Sequence, residues 1–163
     1  VHLRQFNVFL RQFRAKILDE NRVCLNMDIV NSNKLDLYKN ICGTDTKLQT
    51  YLTCIHSFRH RRALTQFRVS AHRLEIEKGR WKRPRVARQF RYCNDCQLGV
   101  FGNEYHFLFE CTALSEIRSH YLDFLPDYVN ENYMYYLVRT EDPIVLAKLA
   151  LFCEKAFNNY LRR

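Results

Sequence analysis

Four residues in one short stretch constrain this chain more than any other feature. Cys93, Cys96, His106 and Cys111 are spaced C-x2-C-x9-H-x4-C. Three thiols and one imidazole at that spacing can close a tetrahedral zinc site. The run Cys93-Asn94-Asp95-Cys96 can turn so that two sulfurs face one ion, and the long gap returns through Gly99 and Gly102. One extended-to-helical turn can carry both His106 and Cys111. The plainer alternative is four ordinary buried residues, but a close cysteine pair followed by H-x4-C rarely arises at random. Four protein ligands leave no position open for a catalytic water, so the expected zinc is structural.

The rest of the sequence predicts a mainly α fold: a small helical domain with an embedded CCHC zinc-binding loop. A chain of 163 residues fits a single domain, 1–163. Within it we read a helical N-terminal part (1–58), a basic helix and strap (59–91), the zinc module (92–112) and C-terminal helices (113–163). Hydrophobic residues make up 47%, enough for a core, while 4 Gly and 3 Pro are too few for a turn-rich sandwich or barrel. Leu3, Phe6, Phe9, Leu10, Phe13 and Ile17 recur at helical spacing and predict a first helix over 2–21 whose aromatic stripe packs into the core. A short helix with Leu35, Tyr38 and Ile41 ends at Gly43. Thr44 and Asp45 start another, with Leu48, Leu52 and Ile55 inward. After Cys111, Leu114, Ile117, Tyr121 and Leu122 mark a helix stopped near Pro126. Tyr133 to Val138 is a short helix or an interface strip. Glu141-Asp142-Pro143 opens the last helix, with Val145, Leu149, Phe152, Ala156, Phe157 and Tyr160 inward and Arg162-Arg163 at its negative end.

Charge is concentrated. Net charge is +9, yet residues 59–91 hold 12 Lys or Arg against Glu75 and Glu77, which is +10. The remainder is 14 minus 15, or −1. Such a stretch is the electrostatic footprint of a polyanion site. Arg59, Arg61 and Arg62 open a helix with Ala63, Leu64, Phe67, Ala71 and Leu74 on its apolar face. Arg62, Arg68 and Arg73 fall around the other side. Gly79 and Pro84 are expected to break the run Lys78-Gly79-Arg80-Trp81-Lys82-Arg83-Pro84-Arg85 into an extended strap ending at Arg88 and Arg91. Arginines there can hold phosphates, and Trp81 can stack on an unpaired base. The alternative is a solvated helix face and a loop whose Trp plugs the core.

Cys24, Cys42, Cys54 and Cys153 lie in helical patterns and are expected to be reduced and mostly buried. That usage, with no signal peptide and no membrane-length apolar run, predicts an intracellular protein of the nucleus or cytoplasm with no membrane partner. The chain begins at Val1, as a fragment or a processed chain would. No phosphate-cradling glycine loop, H-E-x-x-H, nucleophile elbow or paired metal-binding acids stand out, so no enzymatic activity is expected.

The block R-x-S-x-H-x-L-x-I-E-x-G-R (Arg68 to Arg80), joined to Cys93, Cys96, His106 and Cys111, resembles the C-terminal zinc-binding region of non-LTR (LINE-type) retrotransposon reverse transcriptase proteins, or a host protein derived from one. The likeness runs from about Tyr51 to Arg118. It implies a module downstream of a polymerase that grips template RNA or target DNA, with an upstream reverse transcriptase domain or another protein as partner. It carries zinc ligation to Cys93, Cys96, His106 and Cys111. It carries nucleic-acid contact to Arg68, His72, Arg73, Lys78 and Arg80, with Arg59, Arg61, Arg62, Trp81, Lys82, Arg83, Arg85 and Arg88 as neighbours. The polymerase's own Tyr-x-Asp-Asp element is missing. The competing class is a zinc-stabilised protein-interaction module in which Tyr133, Tyr135 and Tyr136 meet a partner.

Overall fold

A computed structural model describes residues 2–32, 34–43 and 47–161. It is mainly helical: α1 (His2–Asn31), α2 (Asp36–Cys42), α3 (Thr50–Cys54), α4 (Phe58–Arg68), α5 (Glu75–Trp81), α6 (Ser115–Tyr121), α7 (Glu131–Arg139) and α8 (Pro143–Leu161). Among the described residues the extended pairing is a single antiparallel bridge, Tyr92 to Phe101. The starts at Thr44 and Asp45 and the Arg162-Arg163 end lie outside the described residues, as do the side chains of Leu3 and Tyr160.

The last helix is the spine. α8 packs against α4, α6 and α3, while α2 packs against α7 and α4. Asp142 caps α8 by accepting from the Ile144 amide at 2.8 Å, and Pro143, which has no amide hydrogen to satisfy, occupies its first position. Leu146, Leu149, Ala150, Phe152, Cys153 and Ala156 are fully buried on one side of it. Against them stand Leu64 and Phe67 of α4, and Phe107 from the segment after the cysteine pair. The Phe107 ring stacks on Phe67 (5.7 Å) and Phe157 (5.1 Å) and meets Phe152 edge-on (5.3 Å). Because Phe107 follows His106, this aromatic cluster fixes the segment of the candidate metal ligands to the helical body.

Several expectations are corrected. The first helix runs ten residues beyond 21, and its aromatic stripe is not core: Phe6, Phe9, Leu10, Phe13 and Ile17 are all exposed. Among its described side chains only Ile29, near the C-terminal end, is buried. Around α3, Tyr51 in the helix and Ile55 just after it are inward, whereas Leu52 and, before the helix, Leu48 face outward. Ala71 is exposed, because α4 ends at Arg68 and the chain turns away through Ser70 at φ 50. Cys153 alone of the four non-ligand cysteines is fully buried; Cys42 and Cys54 are half-buried and Cys24 is exposed on α1. No disulfide joins any of the seven.

Gly79 is not a breaker. α5 passes through it, and a Cβ there would lie 2.6 Å from the Arg91 side chain. The missing side chain makes room for Arg91, which crosses α5 and donates to the carbonyls of Ile76 (2.7 Å) and Val86 (3.1 Å). The strap therefore begins only at Lys82, where the backbone becomes extended.

Candidate functional site

The metal-ligand residues converge. One donor atom from each of Cys93, Cys96, His106 and Cys111 lies within 4.8 Å of the others, and all four residues are buried. They form a group that can hold a metal ion. The Cys93 and Cys111 sulfurs are 4.0 Å apart, and Cys96 Sγ lies 3.3 Å from His106 Nε2.

Local structure explains each placement. The loop from Cys93 to Phe101 is closed at its base by a short ladder. The Cys93 amide donates to the Val100 carbonyl (2.8 Å), the Gly102 amide donates to the Arg91 carbonyl (2.9 Å), and the Tyr92 and Phe101 rings stack at 5.8 Å. Gly99 supplies the left-handed turn, φ +63, at no steric cost. Gly102 is required by close approach: a Cβ there would come within 3.2 Å of Cys93 Cα. Asn103 then accepts from the His106 amide at 2.9 Å and starts the next turn.

That turn accounts for the H-x4-C spacing. In an α-helix, residues five apart point about 140° away from each other. Here His106–Glu110 forms a π-helical turn, and the Cys111 amide donates to the His106 carbonyl at 2.8 Å. The wider turn returns Cys111 to the face of His106. Arg118 of α6 holds its end, donating to the carbonyls of Leu108 (2.6 Å) and Cys111 (2.9 Å).

Glu110 completes the centre. Its carboxylate lies 3.2 Å from His106 Nδ1, so with Nε2 turned to the sulfurs, Nδ1–H donates to Glu110. A carboxylate on the far nitrogen fixes the tautomer and raises ligand basicity. The hydrogen bond from Cys111 brings the Cys93 thiol pKa down to about 3 against the upward push of burial. Burial lowers the His106 pKa, but hydrogen bonds to Cys93 and Glu110 outweigh it and the net shift is upward. The site therefore favours a thiolate, the form that binds metal.

The basic stretch does not stay together. Arg68 is 3% exposed; it donates to the Val138 carbonyl, to Gln49 Oε1 (2.8 Å) and to Cys42 Sγ (3.3 Å), with its guanidinium 4.9 Å from the Tyr51 ring centre. His72 is buried and lies 3.1 Å from Glu104, which also accepts from Ser70 at 3.0 Å. Arg68 is thus turned inward, away from the nucleic-acid surface that sequence assigned it, whereas His72, held to Glu104, lies in the wall of the groove that Trp81 lines. Arg80 pairs with Glu77 at 3.1 Å, and Lys78 and Lys82 both reach Glu75. Arg88, exposed, is 3.5 Å from Asp36.

Two grooves remain. One, about 560 Å³, is lined by Lys34, Arg73, Lys78, Lys82 and Trp81, with His72 and Glu77 also in its wall. Trp81 is 76% exposed, which rules out a core plug. The exposed strap residues Arg83 and Arg85 follow directly. The other, about 300 Å³, lies between α4 and α8 and holds Arg59 and Arg62 beside Glu154 and Phe157. Arg61 instead donates to the Ile55 carbonyl at 3.0 Å.

Sequence reasoning missed Lys34, Asn103, Glu104, Glu110 and Arg118. Glu110 had a signal, a carboxylate four residues after a ligand histidine. Lys34 had none, since only the fold brings it to α5. The tyrosine strip is a helix, α7, in which Tyr133 and Tyr135 pack on the core and Tyr136 faces outward. Among the described residues no helix is long and apolar enough to cross a membrane. No family model, curated protein or solved structure matches this chain.

Proposed function

We propose that this chain is a zinc-stabilised module that grips single-stranded RNA or DNA and performs no chemistry of its own. Zinc fits the donor set: three thiolates and one imidazole are its usual structural shell. With zinc–sulfur bonds of about 2.3 Å, tetrahedral geometry puts two sulfurs about 3.8 Å apart, close to the separation of Cys93 and Cys111. The observation that carries the nucleic-acid reading is Trp81, an exposed indole in a groove rimmed by Lys34, Arg73, Lys78 and Lys82. A free aromatic face beside several cations suits a strand whose bases are unpaired. The resemblance to the zinc region of non-LTR retrotransposon reverse transcriptases supports the same reading. It also suggests a polymerase domain as the natural neighbour.

Fluorescence anisotropy with short single- and double-stranded RNA and DNA, over a range of salt, tests this. The logarithm of affinity for a single strand should fall with log salt by about 0.7 units per phosphate contact. Lys82→Ala, Arg83→Ala and Arg85→Ala together should weaken binding across sequences and flatten the slope. Trp81→Ala should weaken single strands more than duplex. Failure of all four nucleic acids to bind at low salt, or unchanged binding by the triple variant, defeats the proposal.

A further inference from the structure

The long first helix carries a surface that the metal centre and the basic groove do not use. Phe6, Leu10, Phe13, Ile17, Glu20, Cys24 and Met27 repeat at alternating steps of four and three, and all but Glu20 are apolar. Every one of them is exposed, Phe13 by 53%. Phe9, Val23 and Val30 widen the stripe on one side and are exposed as well. Ile29, the buried residue of this helix, falls on the opposite face, so the attachment of α1 to the body leaves the stripe outward. A step pattern averaging 3.5 residues is the seam of a left-handed coiled coil. At 30 residues, α1 is about 45 Å long, enough for several layers of such a seam.

Charge along α1 identifies what can cover it. Residues 2–18 contain Arg4, Arg11, Arg14 and Lys16 and no acid; residues 19–31 contain Asp19, Glu20 and Asp28 against Arg22. The helix is basic in its first half and acidic in its second. A parallel copy would set like charges side by side. An antiparallel copy sets each basic half against an acidic one.

We propose that α1 is the contact surface for a second copy of this chain, packed antiparallel. In the register that keeps the seam layers matched, Leu10 faces Met27, Phe13 faces Cys24 and Ile17 faces Glu20 of the other copy. Glu20 then lies beside Lys16 of the other copy, which accounts for the one charged residue in the stripe.

Sedimentation of the full 163-residue chain over a wide concentration range should show a monomer–dimer equilibrium. Phe13→Asp with Ile17→Asp removes two buried apolar side chains per copy and should raise the dimer dissociation constant at least about a hundredfold. The body should keep its helical signal, since both residues are exposed in the monomer. Arg14→Glu with Lys16→Glu, and Asp19→Lys with Glu20→Lys, should each weaken self-association, and mixing these two charge variants should restore a dimer. Mild oxidation distinguishes orientation. The antiparallel register separates the two Cys24 residues by about 16 Å along the axis, beyond disulfide reach, whereas a parallel seam places them in register. A chain that is monomeric at all concentrations, a dimer untouched by Phe13→Asp with Ile17→Asp, or a Cys24–Cys24 disulfide overturns the proposal.

Discussion

At the scale of single residues, the structure separates two arginines that the sequence treats alike. Arg68 is enclosed by groups from α2, α7 and the segment before α3; its removal takes the guanidinium donor from the Val138 carbonyl and leaves Gln49 Oε1 with only the 3.5 Å contact from Cys42 Sγ. Arg68→Ala should therefore cost about 2–4 kcal/mol of stability, readable as a lowered denaturant midpoint. Arg83→Ala, on an exposed strap, should change stability by less than about 0.5 kcal/mol. Glu110 offers a second residue-level test. Its contact with His106 Nδ1 orients the imidazole without adding a ligand. Glu110→Gln should leave one metal per chain but weaken affinity about 10-fold or more, measured by competition with a chromophoric chelator. Loss of all bound metal would make Glu110 a ligand rather than an orienting group.

At the scale of elements, the turn between α4 and α5 is held to the metal-ligand segment by Ser70, His72 and Glu104. Burial pushes the Glu104 carboxyl pKa up, but hydrogen bonding to His72 and Ser70 more than offsets this, and it lies below its ordinary value. The ionised form is therefore favoured by folding. Its contribution is present above the unfolded pKa, near 4.5, and is lost as pH falls through the lower folded value. Acid unfolding of Glu104→Gln should be less steep than wild type across that window; identical curves would remove Glu104 from the account. The same pair of elements shows where sequence reading stops. The C-x2-C and H-x4-C spacings are local, so the ligand set is legible without the fold. The roles of Arg68 and His72 are not, because their partners Val138 and Glu104 lie 70 and 32 residues away. Periodicity placed Ala63, Leu64 and Phe67 of α4 and Leu149, Phe152 and Ala156 of α8 inward, since these apolar faces meet each other, but it ran the α4 face on to Ala71 and Leu74, past the helix end at Arg68. It misassigned the stripe of α1, since an amphipathic pattern records that a face is apolar but not what covers it. Gly79 was misread for a related reason: its missing side chain serves Arg91, twelve residues on, rather than a turn.

At the scale of the whole molecule, the metal-ligand segment and the helical body share one core through Phe107, while Gly102 and Arg91 join that segment to α5. Trp81 is the last residue of α5. Order at the Cys93, Cys96, His106 and Cys111 cluster is thereby coupled to the position of the groove. Chelation should loosen residues from about 90 to 112 first, and hydrogen exchange should then spread to α5 before it reaches the α4–α8 pairing. The claim on which all of this rests is that Cys93, Cys96, His106 and Cys111 close around one ion. Elemental analysis of the purified chain tests it most directly. One zinc per chain is expected for the wild type, and well under one for Cys111→Ser. Wild-type protein with well under one bound metal per chain, and unfolding unchanged by chelator, would contradict it.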